Sequence, residues 1–226
     1  YTIAIKDIKG RGTSYAPFAV CNAPPPGVKK TNYGIDTDFD VENRGTPNDI
    51  IPIIEKAGFN IIRERFTWET LDKGSGIIFN KNYNKIIELA ESSGCNIMAI
   101  AGFGNSKVLE GSPPETDEEI NAYAAYCADL AKKLNGNAGY IEIWNEYMLS
   151  TFNSRGLPPE KYAQTLIAAY DAIKNTNKNI KVVSMAIPGV SDNIQQKSVL
   201  IDVDGDGIKE KISALTWLRM VLDELK

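Results

Sequence analysis

Alternate side chains of the stretch 140–147 fall into two chemical sets, as expected for a β-strand with two different faces. One face carries isoleucines, and the other carries two carboxylates and an indole: Ile141 and Ile143, then Glu142, Trp144 and Glu146. Carboxyl groups can transfer protons. Glu146 comes last, at the C-terminal end of the strand, where α/β barrels place their chemistry. A half-solvated open sheet and a closed barrel with carboxylates in its lumen both produce this pattern.

The composition excludes several classes of protein. The chain has 226 residues, of which 43% are hydrophobic and 24% charged, as is typical of a globular protein with a sizeable core. Its net charge of −4 and the absence of any basic run longer than two residues argue against nucleic-acid binding. No apolar run approaches the ~20 residues of a membrane helix. We expect one domain, spanning residues 1–226.

The chain contains no histidine and three widely spaced cysteines. The absence of histidine excludes a Ser-His-Asp triad, a Cys-His pair and most zinc sites. Small or apolar neighbours surround Cys21, Cys95 and Cys127, which indicates buried thiols rather than disulfides or metal ligands.

Strand and helix patterns alternate along the chain. Short β-branched or aromatic runs begin near residues 18, 60, 96, 140 and 180, and residues 1–16 and 28–45 read as irregular polar segments. Helical patterns follow at about 47–58, 81–93, 116–134, 159–173 and 213–226. Alternation of this kind predicts an α/β fold with a parallel sheet.

Two parallel architectures compete, an open doubly wound sheet and part of a (β/α)8 TIM barrel. The open sheet predicts a Gly-rich phosphate-binding turn. Gly102-Phe103-Gly104 lacks the third glycine of that motif and is not followed directly by a helix. The strands instead end in polar or aromatic residues and lead into long loops, which favours a barrel with its active face at the strand C-termini. We therefore expect the first five β/α units of a barrel, in order and all parallel.

Three runs carry a resemblance to a known group of enzymes. The run 54–63, followed by Phe66-Thr67-Trp68, resembles the second barrel unit of the retaining clan A glycoside hydrolases. The run 99–105 is similar to their third strand, and Ile143-Trp144-Asn145-Glu146 matches the fourth-strand motif that carries the acid/base Glu. The family 39-like branch, which includes secreted and periplasmic exopolysaccharide hydrolases, is the most similar, over residues 17–190. An extracellular or periplasmic location is therefore expected.

The resemblance implies that Glu146 is the acid/base of a retaining mechanism, with its pKa raised by burial beside Trp144. It also implies contacts to a carbohydrate substrate from six side chains: Asn145, Arg63, Trp68, Phe103, Asn105 and Trp144. Asn145 would bind a sugar hydroxyl, Arg63 would hold the nucleophile, and Trp68 and Phe103 would stack on sugar rings. The alternatives are that Trp144 fills the core and that Glu142 is a barrel-interior partner of Arg63 or Arg65 and not a catalyst. Glu64 and Glu69 are expected to be solvated or paired charges.

The chain departs from that family pattern at two points. Tyr147 follows the acid/base Glu where the family usually has Pro. The family's nucleophile is a second Glu at the end of strand seven, whereas this chain provides about five units. We therefore expect the nucleophile to be missing here, and the exposed sheet edges to be covered by the remainder of the barrel or by a second chain. A non-catalytic carbohydrate-binding or structural relative of the barrel is the alternative.

An acidic loop near the C-terminus has two interpretations. Asp202, Asp204 and Asp206, followed by Gly207, resemble the start of an EF-hand loop, and Glu210 falls at position nine. Ser213 replaces the bidentate Glu of position twelve. The loop is therefore either a structural calcium site or the turn of a β-hairpin between 199–201 and 208–212. No cofactor is otherwise required.

Overall fold

The computed structural model describes residues 2–6, 13–17, 33–39, 45–109, 112–134, 136, 138–188, 198–202 and 206–226. Its strands are β1 (Thr2–Lys6), β2 (Thr13–Pro17), β3 (Gly34–Asp36), β4 (Ile61–Thr67), β5 (Asn96–Gly102), β6 (Ala138–Ile143), β7 (Lys181–Val183), β8 (Leu200–Ile201) and β9 (Glu210–Lys211). Its helices are α1 (Pro47–Lys56), α2 (Trp68–Leu71), α3 (Lys81–Ser92), α4 (Asp117–Leu134), α5 (Pro159–Thr176) and α6 (Ala214–Glu224).

A five-stranded sheet positions the site. Its strand order is β3-β4-β5-β6-β7, and every neighbouring pair is parallel. This confirms the predicted contiguous parallel order and excludes the reversal of strand order that a doubly wound sheet requires. Two antiparallel hairpins, β1-β2 and β8-β9, lie outside this sheet.

Alternation along β4 separates the two faces of the sheet. Ile62 and Phe66 are fully buried, and the Phe66 ring stacks on Tyr83 of α3 at a centroid distance of 4.9 Å. Arg63 and Arg65 point to the opposite face and remain partly exposed. The strand therefore turns one face towards the helices and presents its arginines on the other.

Local chemistry fixes the helix ends. Asn80 Oδ1 accepts hydrogen bonds from the backbone N–H groups of Asn82 and Tyr83, which caps α3. Ser213 caps α6 in the same way by accepting from the Thr216 N–H. Acidic residues occupy the first turn of α4 and lysines its last turn, which complements the helix dipole.

The structure corrects two expectations at the N-terminal end. β3 lies within residues 28–45, which the sequence pattern assigned to a polar loop, and it supplies the first strand of the sheet. Residues 1–16 were expected to be irregular, but 2–6 pair with 13–17. The strand predicted at residues 18–21, including Cys21, lies outside the described residues. Cys95 and Cys127 are buried free thiols, as predicted.

Among the described helices, none combines the length and apolar character needed to cross a membrane.

Candidate active site

Four polar side chains meet at the C-terminal edge of the sheet. Arg63 lies on β4, Glu142 on β6, Asp36 at the end of β3, and Asn145 directly after β6. Parallel strands end at the same edge, so residues far apart in the chain become neighbours there.

The guanidinium group of Arg63 organises this cluster. Nε donates to Glu142 Oε2 at 2.7 Å, and Nη2 donates to Glu142 Oε1 at 2.8 Å. Nη1 donates to Asp36 Oδ2 at 2.7 Å, and Nη2 also donates to Asn145 Oδ1 at 2.8 Å. Glu142 is only 2% exposed and accepts a further bond from the Ala186 N–H at 2.9 Å. Glu142 is therefore the buried partner of Arg63, as the sequence pattern predicted.

A cleft of about 350 Å³ opens beside the cluster. Arginines, carboxylates and an amide line it together with two phenylalanine rings and two aliphatic side chains: Asp36, Asp38, Arg63, Arg65, Ile100, Phe103, Asn145, Glu146, Phe152 and Ala186. A second ion pair at the cleft joins Arg65 Nε to Asp38 Oδ1 at 3.1 Å. The cleft therefore offers charged hydrogen-bonding groups beside flat apolar surfaces.

The backbone bends sharply after β6 and turns Glu146 towards this cleft. Trp144 and Glu146 adopt φ values of 64° and 41°, which L-residues rarely take. Packing holds the bend in place, because Trp144 is fully buried and its Nε1 donates to the Phe152 carbonyl at 2.8 Å. Tyr147, at the position where the resemblance predicted Pro, is also fully buried, and its ring contacts Trp217.

The environment of Glu146 favours its protonated form. Partial burial raises the pKa of Glu146 above the usual range, and the neighbouring charge of Glu142 acts in the same direction. The positive charge of Arg63 and a hydrogen bond from Asn145 oppose that shift. The net result is a carboxyl group that keeps its proton at a higher pH than an ordinary Glu, as general acid catalysis requires.

Comparison with known families identifies the chain. The sequence model of the family described as Cellulase (glycosyl hydrolase family 5) matches residues 25–205. The chain belongs to this glycoside hydrolase family. The predicted resemblance to the clan A glycoside hydrolases is thereby confirmed, and a family 39 member is among the solved structures that share the fold. A search of the curated proteins found no match.

Solved structures show the same fold. A family 39 glycoside hydrolase from the gut symbiont Bacteroides cellulosilyticus WH2 superposes with a TM-score of 0.61 at 20% identity, covering 81% of this chain and 37% of that one. A further glycoside hydrolase superposes with a TM-score of 0.51 at 11% identity, covering 71% and 55%. The chain thus spans about a third to a half of the length of these neighbours, and its five parallel strands form part of a (β/α)8 barrel, as predicted.

Four of the predicted site residues lie together at the cleft of this family member: Glu146, Asn145, Arg63 and Phe103. Phe103 is partly buried, and its ring stacks on Phe152 at a centroid distance of 5.3 Å. These are the predicted residues that a bound sugar could reach from the cleft.

The other three predicted substrate contacts are buried. Trp68 is 5% exposed and stacks on Tyr126 at 5.3 Å, so its faces are unavailable to a sugar ring. The strand ends at Thr67, and Trp68 begins α2, which explains why the indole packs into the core. Trp144 fills the core, the alternative that the sequence allowed. Asn105 is fully buried and donates to Asp72 Oδ2 at 2.7 Å, so it anchors a loop.

Sequence reasoning missed two charged residues of the cleft, Asp36 and Asp38, and named a third, Arg65, only as a possible partner of Glu142. Arg65 lies two positions after Arg63 on β4 and shares its face, so strand alternation could have placed it at the site. Asp36 and Asp38 were missed because the three-residue strand β3 has no hydrophobic run to reveal it. Of the two expectations for Glu64, a solvated or a paired charge, the first is wrong, because Glu64 is only 1% exposed.

The acidic loop forms the predicted hairpin, with Leu200 opposite Lys211 and Ile201 opposite Glu210. Asp202 Oδ2 accepts from the Gly207 N–H at 2.9 Å, and Asp206 Oδ1 accepts from the Ile208 N–H at 2.7 Å. Asp204 lies outside the described residues, and those that are described contain no cluster of three potential metal ligands. Calcium binding stays a prediction.

Proposed function

We propose that the chain supplies the acid/base half of a retaining glycosidase that acts on a poly- or oligosaccharide. The observation that carries the proposal is the position of Glu146, partly buried at a barrel edge and facing a cleft with its pKa raised. Membership of a glycoside hydrolase family adds support, because these enzymes use a carboxyl group of this kind as acid/base.

In this mechanism Glu146 first donates its proton to the glycosidic oxygen as the bond to the leaving sugar breaks. Its carboxylate then removes a proton from the water that hydrolyses the glycosyl-enzyme intermediate. The Asn145 amide is oriented by the bond from Arg63 to its Oδ1, so that its NH2 group can donate to the sugar hydroxyl next to the reacting carbon. Phe103 and Phe152 would pack against the apolar face of a sugar ring.

The nucleophile in this proposal is a further Glu that these 226 residues do not supply. The cleft carboxylates that the structure describes support this, because arginines hold them: Asp36 and Glu142 pair with Arg63, and Asp38 pairs with Arg65. A retaining enzyme needs the second carboxyl group about 5 Å from the first. The remaining barrel strands, or a second chain, would provide it and would also cover the sheet edges.

A non-catalytic carbohydrate-binding relative is the second candidate. The same ion pairs favour it, since Arg63 and Arg65 hold Asp36, Glu142 and Asp38 and leave Glu146 without a second described carboxylate free for catalysis. Such a protein would keep sugar affinity in the cleft but would hydrolyse nothing when the remaining strands are present.

Assays on aryl glycosides and cello-oligosaccharides test the proposal. The 226-residue chain should hydrolyse them near background, whereas a longer chain that includes the later strands should turn them over. In that longer chain Glu146→Gln should lower turnover by about 10²–10⁴-fold, with a smaller loss in the first step for substrates with very good leaving groups. Glu91→Gln, at an exposed position of α3, is the control and should not change activity.

Two outcomes would reject this assignment. Turnover by the 226-residue chain that Glu146→Gln leaves unchanged would mean that another residue is the acid/base. Sugar binding without turnover in the longer chain would establish the non-catalytic candidate instead.

We also propose an extracellular or periplasmic location and a structural calcium ion in the loop 202–210. Fractionation of cells that produce the full-length protein tests the location, and recovery of the protein in the cytoplasm alone would contradict it. Calorimetric titration with calcium tests the ion, and the absence of heat at millimolar calcium would contradict it.

A further inference from the structure

Glu64 is a buried carboxylate on the apolar face of β4. Its neighbours on that face, Ile62 and Phe66, are fully buried, and Glu64 itself is 1% exposed. Burying a carboxylate is unfavourable unless hydrogen bonds compensate for the lost water. An aliphatic side chain would suit this position better for packing alone, so the carboxylate needs another explanation.

Among the described residues, three groups donate hydrogen bonds to the Glu64 carboxylate. Thr37 Oγ1 and the Phe39 N–H donate to Oε2 at 2.6 and 3.0 Å. The Arg65 N–H donates to Oε1 at 3.1 Å. Two of these donors belong to the segment 37–39, which directly follows β3. From behind the sheet, Glu64 therefore ties this segment to β4.

The tied segment carries the acidic side of the cleft. Asp36 immediately precedes it and bonds Arg63 at 2.7 Å, and Asp38 lies within it and pairs with Arg65 at 3.1 Å. Thr37 also donates to the Arg63 carbonyl through its N–H at 3.1 Å. β3 has only three residues, and Asp38 adopts a φ of 48°, so side-chain bonds are needed to hold this path.

We propose that Glu64 is a positioning residue that, through Thr37 and Phe39, keeps Asp36 on Arg63 and thereby sets the positive charge that Arg63 presents to Glu146. The inference rests on the proposed acid/base role of Glu146 for its functional meaning. The structural part of the inference, that the helix-facing side of β4 is coupled to the cleft, rests only on the hydrogen bonds described above.

The groups that face Glu146 determine the direction in which its pKa should shift. They are Arg63 and Arg65 from β4, Asp36 and Asp38 from the end of β3, and Glu142 and Asn145 from β6. Arg63 lowers the pKa of Glu146. When Asp36 no longer neutralises Arg63, the positive charge acts more strongly, so the pKa of Glu146 falls and the acid loses its proton at lower pH.

Nuclear magnetic resonance titration of the Glu146 carboxyl carbon tests this coupling. The chain is labelled at Glu side chains, and the Glu146 signal is assigned by its loss in Glu146→Gln. Glu64→Gln removes one of the two acceptor oxygens, and Thr37→Val removes the hydroxyl donor but keeps the Glu64 charge. Each should lower the Glu146 pKa by on the order of 0.5 pH unit. Glu91→Gln, which removes an exposed charge, should not shift it.

A double-mutant cycle with Asp36→Asn tests whether Glu64 changes the Glu146 pKa through Asp36. If Glu64 acts through Asp36, Glu64→Gln and Thr37→Val should cause little further shift in the Asp36→Asn background. A shift of the same size in that background would show a direct charge effect and overturn the proposal. An unchanged Glu146 pKa in both single variants would also overturn it.

The readout separates this inference from the proposed function. If Glu64→Gln fails to fold, Thr37→Val alone decides, since it preserves the buried charge. The titration follows the proton on Glu146 and needs no hydrolysis. The expected shifts, combined with no turnover by the longer chain that includes the later strands, would therefore establish the role of Glu64 and reject the glycosidase proposal, whereas turnover by that longer chain without the shifts would do the reverse.

Discussion

Arg63 holds three segments of the site with a single side chain. It contacts Glu142 on β6, Asp36 at the end of β3 and Asn145 after β6. Glu142 is almost fully buried, so its charge depends on this partner, and losing one member of such a pair typically costs about 3–5 kcal/mol. The arginine that shapes the cleft is therefore also a requirement of the fold.

Glu146 should make stability depend on pH. Because the folded state raises the pKa of Glu146, the native chain binds the proton more tightly than the unfolded chain. The stabilisation is fully present below the unfolded pKa of about 4.3 and is lost as pH rises through the higher folded value. Deprotonation of Glu146 therefore costs the folded state stability, and Gln has no such proton to lose. The free energy of unfolding of Glu146→Gln should equal that of the wild type at low pH and exceed it at neutral pH.

Urea unfolding at several pH values measures the effect, with Glu91→Gln as the control for the loss of one exposed carboxylate. A Glu146→Gln variant that is less stable than the wild type at neutral pH would contradict the raised pKa.

The longer elements were predictable because each has a clear periodic pattern. β4, β5, β6 and the helices α3, α4 and α5 appear where alternation, caps and glycine stops placed them. β3 was not predicted, because its three residues include one isoleucine and show no periodic pattern. Only its pairing with β4 defines it as a strand. Whether such a segment forms a strand depends on its tertiary contacts and not on its local sequence.

Site residues were predictable only where they lie on, or directly after, a strand that the sequence pattern reveals. Glu146 follows from the alternation and end of β6, whereas Arg63 and Asn145 were assigned through the resemblance to the glycoside hydrolases. Trp68 was misplaced because the sequence does not show that β4 ends at Thr67 and that a short helix begins at the indole. Glu64 could not be found by pattern, since its partners at residues 37 and 39 lie 27 and 25 positions away.

The C-terminal helix α6 packs through Trp217. This side chain is 1% exposed, and its ring contacts Tyr147 and Tyr162 at a centroid distance of 5.7 Å each. Trp217→Ala should destabilise the chain by about 3–5 kcal/mol because it leaves a large cavity. Leu215→Ala on the same helix is the control, since Leu215 is 72% exposed and should matter by no more than about 0.5 kcal/mol. Equal urea midpoints for the two variants would show that α6 is not docked.

At the scale of the whole molecule, the sheet is an arc with two edges. Within the described residues, β3 and β7 each pair with one strand only. Backbone groups on an unpaired edge can bond to another chain, and an exposed lysine on the edge strand opposes this. Lys181 has this position at the start of β7, where its Nζ lies 5.2 Å from the centre of the Tyr140 ring.

The 226-residue chain should therefore self-associate as its concentration rises, and Lys181→Val should associate at a lower concentration than the wild type. Lys178→Val removes the same charge from the exposed turn before the strand, so it should behave like the wild type. Light scattering coupled to gel filtration gives the mass at each concentration. Equal behaviour of the two lysine variants, or a monomer at every concentration for all three proteins, would mean that the β7 edge is already covered by residues of the same chain.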